Sequence, residues 1–155
     1  MLDHHTLAAT VRALSAGETD AITLMATLAC EVHQADDRCS WTGFYRVVAP
    51  ELLKVGPYQG GHGCLTIPFD KGVCGAAART GAAQLVPDVH AFADHIACSA
   101  ATQSELVLPV FNRDKALLAV FDLDSEEIAA FTEDDVRFYQ GLLDETFAGV
   151  EAPKL

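Results

Sequence analysis

Three cysteines, Cys64, Cys74 and Cys98, fall in or at the end of the glycine-rich stretch from Gly60 to Cys98. A free thiol titrates near 8.5, so only about 3% is thiolate at pH 7, and a working nucleophile needs a cation, a helix N-terminus or a hydrogen bond beside it. Cys98 precedes Ser99-Ala100-Ala101, read here as the start of a helical turn whose N–H groups would face its sulfur. His90 and His95 lie close enough in sequence to add positive charge. Cys64 and Cys74 are read in glycine-rich turns. A thiolate that attacks an oxidised substrate becomes a sulfenic acid, and a second thiol within reach closes it to a disulfide. Spacing alone does not say which two thiols pair.

Just downstream lie three carboxylates, Glu105, Asp122 and Asp124. Acids gathered in one pocket push their pKa values apart, so that one stays ionised while another keeps its proton. The ionised one suits a substrate ammonium, and the protonated one suits an oxygen that must leave as water. Asp122 and Asp124 are expected on opposite sides of a strand that persists to Ser125, so that only one shares a face with Glu105 unless the strand bends. Trp41 and Tyr45, with Tyr58 nearby, are candidates to wall an apolar pocket, and an S-methyl group packs well on aromatic faces. Each residue also has a plainer role open to it. A cysteine is a small buried hydrophobe, the role assigned to Cys30; acids at strand ends form turns or caps; aromatics fill cores.

The elements that must position these groups read as follows. Leu7, Val11 and Leu14 recur at helical spacing until Gly17, and a second helix after Thr19 sets Leu24, Leu28 and Val32 on one face. This N-terminal helix pair would also suit the seam of a homodimer. Asp36-Asp37-Arg38 is a polar break. Trp41 to Val47 alternates as a strand, with Trp41, Gly43, Tyr45 and Val47 on one face, and Leu52 to Val55 returns as its hairpin partner until Gly56-Pro57. Short strands follow at Leu65–Pro68 and Gln84–Val86, around a short helix at Gly75–Arg79. The stretch from Asp88 to Ser104 has little periodicity, and so long a loop in a compact domain is usually functional. Glu105–Phe111 and Lys115–Leu123 form a central antiparallel hairpin, in which Pro109 threatens a ladder bond. A last helix carries Val136, Tyr139, Leu143, Phe147 and Val150, with Thr132 as N-cap, Asp135 completing a capping box and Phe131 stapled onto Val136. This order argues for an α+β fold, an antiparallel sheet with helices grouped on one side.

The totals agree with one globular domain over residues 1–155. Half the residues are hydrophobic and the net charge is −12, which disfavours nucleic acid and anionic membrane surfaces as partners. Met1-Leu2-Asp3-His4-His5 lacks the basic start of a secretory signal, and no run approaches the ~18 apolar residues of a membrane span. A cytoplasmic location is expected. Five cysteines, an odd number and without any C-x-x-C, then argue against a structural disulfide framework.

Several segments together resemble one family. Trp41-Thr42-Gly43-Phe44-Tyr45, Gly56-Pro57-Tyr58-Gln59-Gly60, Cys64-Leu65-Thr66-Ile67-Pro68 and Gly72-Val73-Cys74-Gly75 are similar to the free methionine-(R)-sulfoxide reductases, which are built on a GAF domain. So are Asp88-Val89-His90, His95-Ile96-Ala97-Cys98, Ser104 to Pro109, Asp122-Leu123-Asp124-Ser125 and Phe131 to Asp135, and the match runs over roughly residues 20 to 148. The resemblance implies a six-stranded antiparallel sheet with helices on one side and an enclosed ligand pocket on the other. It implies reduction of the free amino acid sulfoxide, R rather than S, with no cofactor and no metal. It implies that Cys98 attacks and becomes the sulfenic acid, that Cys64 closes the disulfide, and that Cys74 is a second candidate for that step. Glu105, Asp122 and Asp124 would bind the ammonium and the sulfoxide oxygen, Glu105 or Asp124 would give the proton, and Trp41 and Tyr45 would contact the methyl end. Thioredoxin would reduce the disulfide. Gly61-His62-Gly63 is unusually glycine-rich for the family, and Cys39 stands outside its cysteine set. The competing readings are a non-catalytic GAF sensor of a small molecule, a zinc site drawn from His62, Cys64, Cys74, His90, His95 and Cys98, and a peroxidase or general redox sensor acting through Cys98.

Overall fold

A computed structural model describes residues 1–151. Six strands, β1 (Trp41–Ala49), β2 (Leu52–Gln59), β3 (Thr66–Pro68), β4 (Gln84–Val86), β5 (Ser104–Phe111) and β6 (Leu117–Ser125), form one antiparallel sheet in the order β3-β2-β1-β6-β5-β4. Four α-helices complete it: α1 (His4–Ser15), α2 (Ala21–Ala35), α3 (Gly72–Thr80) and α4 (Glu133–Thr146).

The sheet separates two apolar cores. On one face α1, α2 and α4 bury Val11, Leu28, Val32 and Leu143 against Phe44, Leu108 and Phe121. Each such fully buried side chain contributes about 1.5–3 kcal/mol. Leu14 is left out of this core at 57% exposure, so the apolar stripe of α1 ends at Val11. On the other face a single helix, α3, packs against the sheet, and Ile67, Val73, Ala77, Val107 and Val120 form a smaller core. The three long helices thus share one side, as expected, and the short fourth helix walls the side that carries the cavity described below.

Local chemistry sets the boundaries. Asp3 and Asp20 cap α1 and α2 by accepting from the N–H groups of Thr6 and Thr23. Thr132 and Asp135 form the expected reciprocal capping box on α4. That helix stops at Thr146; Phe147 is its C-cap, and Val150 reaches the core from beyond the helix. β2 runs on through Gly56-Pro57 to Gln59, past the expected stop. The pairing with β1 shifts register there, between Tyr45↔Val55 and Gly43↔Tyr58, and such an irregularity tolerates a proline in a strand. Pro109 is accommodated differently. Its carbonyl accepts from the Gln140 side chain at 3.0 Å, so its nitrogen faces the same way, beyond the end of the three-residue β4, where no ladder bond is lost.

Asp36 and Arg38, read as a polar break, are a buried anchor between α2 and α4. Asp36 is wholly buried, Arg38 donates to both its carboxylate oxygens at 2.8 Å and to Asp135 at 2.9 and 3.0 Å, and Tyr139 donates its hydroxyl to Asp36 at 2.8 Å. Fork geometry lets one guanidinium satisfy both carboxylates.

Candidate active site

The cavity opens on the α3 side of the sheet and encloses about 490 Å³. Its floor follows from strand register. Trp41 on β1 pairs with Asp124 on β6, which pairs with Glu105 on β5, so the three side chains make one row across three strands. The next row on the same face is Gly43, Asp122 and Val107. The expectation that Asp122 and Asp124 point to opposite sides is therefore corrected. Residues two apart on a strand share a face, so a regular β6 brings both to Glu105 without a bend.

The glycine in the second row makes room for the wall. A Cβ at Gly43 would collide with the Tyr58 Cβ and come within 2.6 Å of the Trp41 ring, so only glycine lets the indole fold across it. Trp41 stacks on Tyr45 at 5.6 Å between centroids and on Tyr58 at 5.2 Å, and its Nε1 donates to the Gly61 carbonyl at 2.8 Å. Trp41 and Tyr45 line the cavity as expected, while Tyr58 backs Trp41 from a partly exposed position. Gly63 lies over Tyr45, where a Cβ would sit 2.8 Å from the phenol oxygen. The glycine-rich Gly61–Gly63 segment is thus pressed onto the aromatic wall.

Opposite it, the segment His95–Ala100 supplies Cys98, His95 and Ile96 to the lining. Its base is pinned where Val89 N–H donates to Gln103 and Gln103 N–H to Ser125, at 2.9 and 2.8 Å. Cys98 is bonded to Cys64, with Cα atoms 5.3 Å apart across 34 residues of chain. No helix begins at Ser99, so the expected helical N-terminus behind Cys98 is absent. Cys74 differs from its expected place in a turn. It is the third residue of α3, buried, and its Sγ donates to Asp122 Oδ2 at 3.5 Å.

The electrostatics follow from burial. Glu105 and Asp122 are 6% and 4% exposed, Asp124 is half-buried, and the three carboxyls hydrogen-bond to one another. Burial raises Glu105 to about 7 against the pull of hydrogen bonds from both aspartates. Asp122 is raised well above the carboxylate range by burial and then by the charges of Asp124 and Glu105, and Asp124 by burial and then Glu105. The cluster therefore keeps protons at neutral pH, as carboxyls in a shared low-dielectric site must. Burial and Asp122 likewise raise the Cys74 thiol, which stays protonated. His95 Nε2 lies 3.8 Å from Glu105 Oε2, but burial and then His90 lower its pKa, so it is neutral there and does not supply the expected positive charge. Asp122 Oδ1 is the one buried side-chain oxygen without a hydrogen-bond partner among the described residues. Only a proton held on one of the floor carboxyls can satisfy it within the protein, in keeping with the protonated state of the cluster.

Cys74, Glu105 and Asp122 hold ligand-type atoms within 4.8 Å of one another. A cation there would have to displace the protons that burial favours. The zinc set considered from the sequence is not gathered in this form of the protein, since Cys64 and Cys98 are spent on each other. Thr102, Glu126 and the apolar lining at Ile67, Val73 and Ile96 were not anticipated. Thr102 and Glu126 flank the floor strands, a position that strand ends mark in a sequence.

A GAF domain model matches residues 15–146. The chain is 38% identical to the free methionine-R-sulfoxide reductase of Escherichia coli, over 79% of this chain and 73% of that protein. Among solved structures, the free methionine-R-sulfoxide reductase of Neisseria meningitidis in complex with its substrate superposes with a TM-score of 0.86 at 36% identity, covering 93% of this chain and 87% of the other. The chain belongs to the GAF-domain free methionine-R-sulfoxide reductase family. A second structure, the reduced form of fRMsr from Staphylococcus aureus, superposes with a TM-score of 0.89 at 31% identity, covering 95% and 94% of the two chains. The resemblance read from the cysteine spacing and the Trp41–Tyr45 segment is thereby borne out at the level of family, fold and oxidoreductase class. No described helix is long and apolar enough to cross a membrane.

Proposed function

We propose that this chain reduces free L-methionine-(R)-sulfoxide to methionine in the cavity between the Cys64–Cys98 disulfide and the carboxyl floor. The observation that carries the reading is the juxtaposition of a redox-competent sulfur with a buried, proton-holding acid cluster in one chamber.

In the reduced protein the Cys98 thiolate attacks the sulfoxide sulfur. A protonated carboxyl, Glu105 or Asp124, delivers its proton to the oxygen, which transfers to Cys98 as hydroxyl. The substrate sulfur gains two electrons and leaves as the thioether, and Cys98 is left as a sulfenic acid. The Cys64 thiol then attacks the Cys98 sulfur; water leaves and the disulfide forms. Ionised carboxylates beside Cys98 would oppose thiolate formation, and the raised pKa values of the floor relieve that repulsion. Once one floor carboxyl has ionised, it pairs with the substrate ammonium. Trp41 and Tyr45 offer aromatic faces to the S-methyl end. A free amino acid fits about 490 Å³. A dithiol protein, thioredoxin, returns the disulfide to two thiols. Cys74, protonated and held by Asp122, fits a supporting role better than the closing thiol.

A thioredoxin-coupled assay with separated R and S free methionine sulfoxide tests this. The expected result is turnover of the R isomer by the wild type and none of the S isomer. Turnover of hydrogen peroxide with neither sulfoxide consumed would replace the reading with a peroxidase or redox sensor.

A further inference from the structure

The disulfide lies beside an open sheet edge. β3 is the terminal strand, with β2 on one side and no strand among the described residues on the other. Leu65 accepts from Val55 N–H at 3.1 Å and Phe69 N–H donates to Glu51 at 3.0 Å, so residues 65 and 69 turn their backbone groups toward β2. By alternation Thr66 turns its N–H and C=O to the open edge. Pro68, which would present the next outward N–H, has none, so pairing along this edge is confined to one short step. Leu65, next in chain to half-buried Cys64, is 74% exposed. The edge nearest Cys64 in the chain thus leaves one unpaired backbone donor and acceptor at Thr66, with the exposed Leu65 side chain beside them.

We infer that the Leu65–Thr66 edge is the docking surface for the dithiol protein reductant, which adds a short segment of its own backbone to β3 and covers Leu65. The inference rests on the reductase reading for its partner, and it names the surface that partner uses. Backbone pairing at a sheet edge supplies register without demanding a particular side chain, and it delivers the reductant next to Cys64. The incoming thiolate then forms a bond to Cys64 Sγ, the Cys64–Cys98 bond breaks, and its electron pair goes to Cys98 Sγ. The second thiol of the reductant, as thiolate, attacks its own sulfur in the mixed disulfide and expels Cys64. The reductant leaves as a disulfide, this chain gains two electrons, and the two protons of the reductant end on Cys64 and Cys98. The order of attack leaves Cys98, the cavity-lining sulfur, free as soon as the first bond is exchanged.

The test uses the pre-oxidised full chain, without any sulfoxide. The appearance of Cys64 and Cys98 thiols is followed by alkylation and intact mass, with bacterial thioredoxin or with dithiothreitol as reductant. Two variants are compared with the wild type: Leu65→Asp, and Thr66→Pro, which removes the outward N–H. The second-order rate with thioredoxin is expected to fall about tenfold in each, with the dithiothreitol rate unchanged. Wild-type rates with thioredoxin in both variants, or equal losses with both reductants, would overturn the inference. Because no sulfoxide is present, failure of the substrate assignment leaves this readout untouched.

Discussion

Replacing Glu105 by glutamine removes the one floor carboxyl whose ionisation falls in an accessible range. Its folded pKa, about 7, lies above the ordinary 4.5 because the side chain is buried. The fold therefore favours the protonated form. Below about pH 4.5 both folded and unfolded states hold the proton and no penalty arises. Between 4.5 and 7 the unfolded chain loses its proton first, so the stability of the wild type declines as pH rises. Above 7 the full penalty is present. A carboxyl moved from 4.5 to about 7 carries about 3 kcal/mol on this account. Glutamine keeps the shape and a hydrogen-bonding head but has no charge to bury. Urea unfolding of the oxidised protein at pH 4.5 and pH 8 measures the difference, and using variant minus wild type at each pH cancels the titration of distant groups. Glu105→Gln is expected to be close to neutral at pH 4.5 and stabilising by about 3 kcal/mol at pH 8, an increase in midpoint of about 1–2 M urea. The same variant should lose activity, as stabilising changes in active sites often do. A difference that stays constant between the two pH values would refute the claim that this carboxyl is buried against its charge.

For the native enzyme, kcat/KM should fall as pH rises past about 7, where Glu105 gives up its proton; a flat profile from about pH 5 to 9 would contradict a proton-donating floor. Gly43→Ala forces a Cβ to within 2.6 Å of the Trp41 ring, and thermal unfolding should show a loss of about 1–3 kcal/mol together with a raised KM. Arg38→Ala strands the fully buried Asp36, and urea unfolding at pH 7 should register a loss of about 3–5 kcal/mol.

What could be read from the sequence was what period and caps encode. The Trp41–Val47 alternation put Trp41 and Tyr45 on one face, and they do wall the cavity. Thr132 and Asp135 announced the last helix. Strand ends were harder, because β2 crosses Gly56-Pro57 only through an irregular pairing with β1 that no local pattern reveals. Asp122, Asp124 and Glu105 were legible as a set, but their arrangement needed the cross-strand register that aligns Trp41, Asp124 and Glu105. Cys74 looked like a loop thiol because Gly72 and Gly75 flank it. Gly72 takes a positive φ of 68° at the entry to α3, and Gly75 lets that helix lie against the Phe69 carbonyl, so both glycines serve a helix rather than a turn. Asp36 and Arg38 looked like solvent because a charge triplet usually is, and their partner Asp135 lies 97 residues from Arg38.

The central claim is that the Cys98 sulfur and the carboxyl floor act together on a sulfoxide. Pre-reduced protein, freed of reductant and mixed with free methionine-(R)-sulfoxide, tests it by the methionine released in one turnover. The account predicts about one methionine per chain from the wild type, the same from Cys64→Ser and from Cys74→Ser, and none from Cys98→Ser. Release from Cys98→Ser equal to that of the wild type would contradict it.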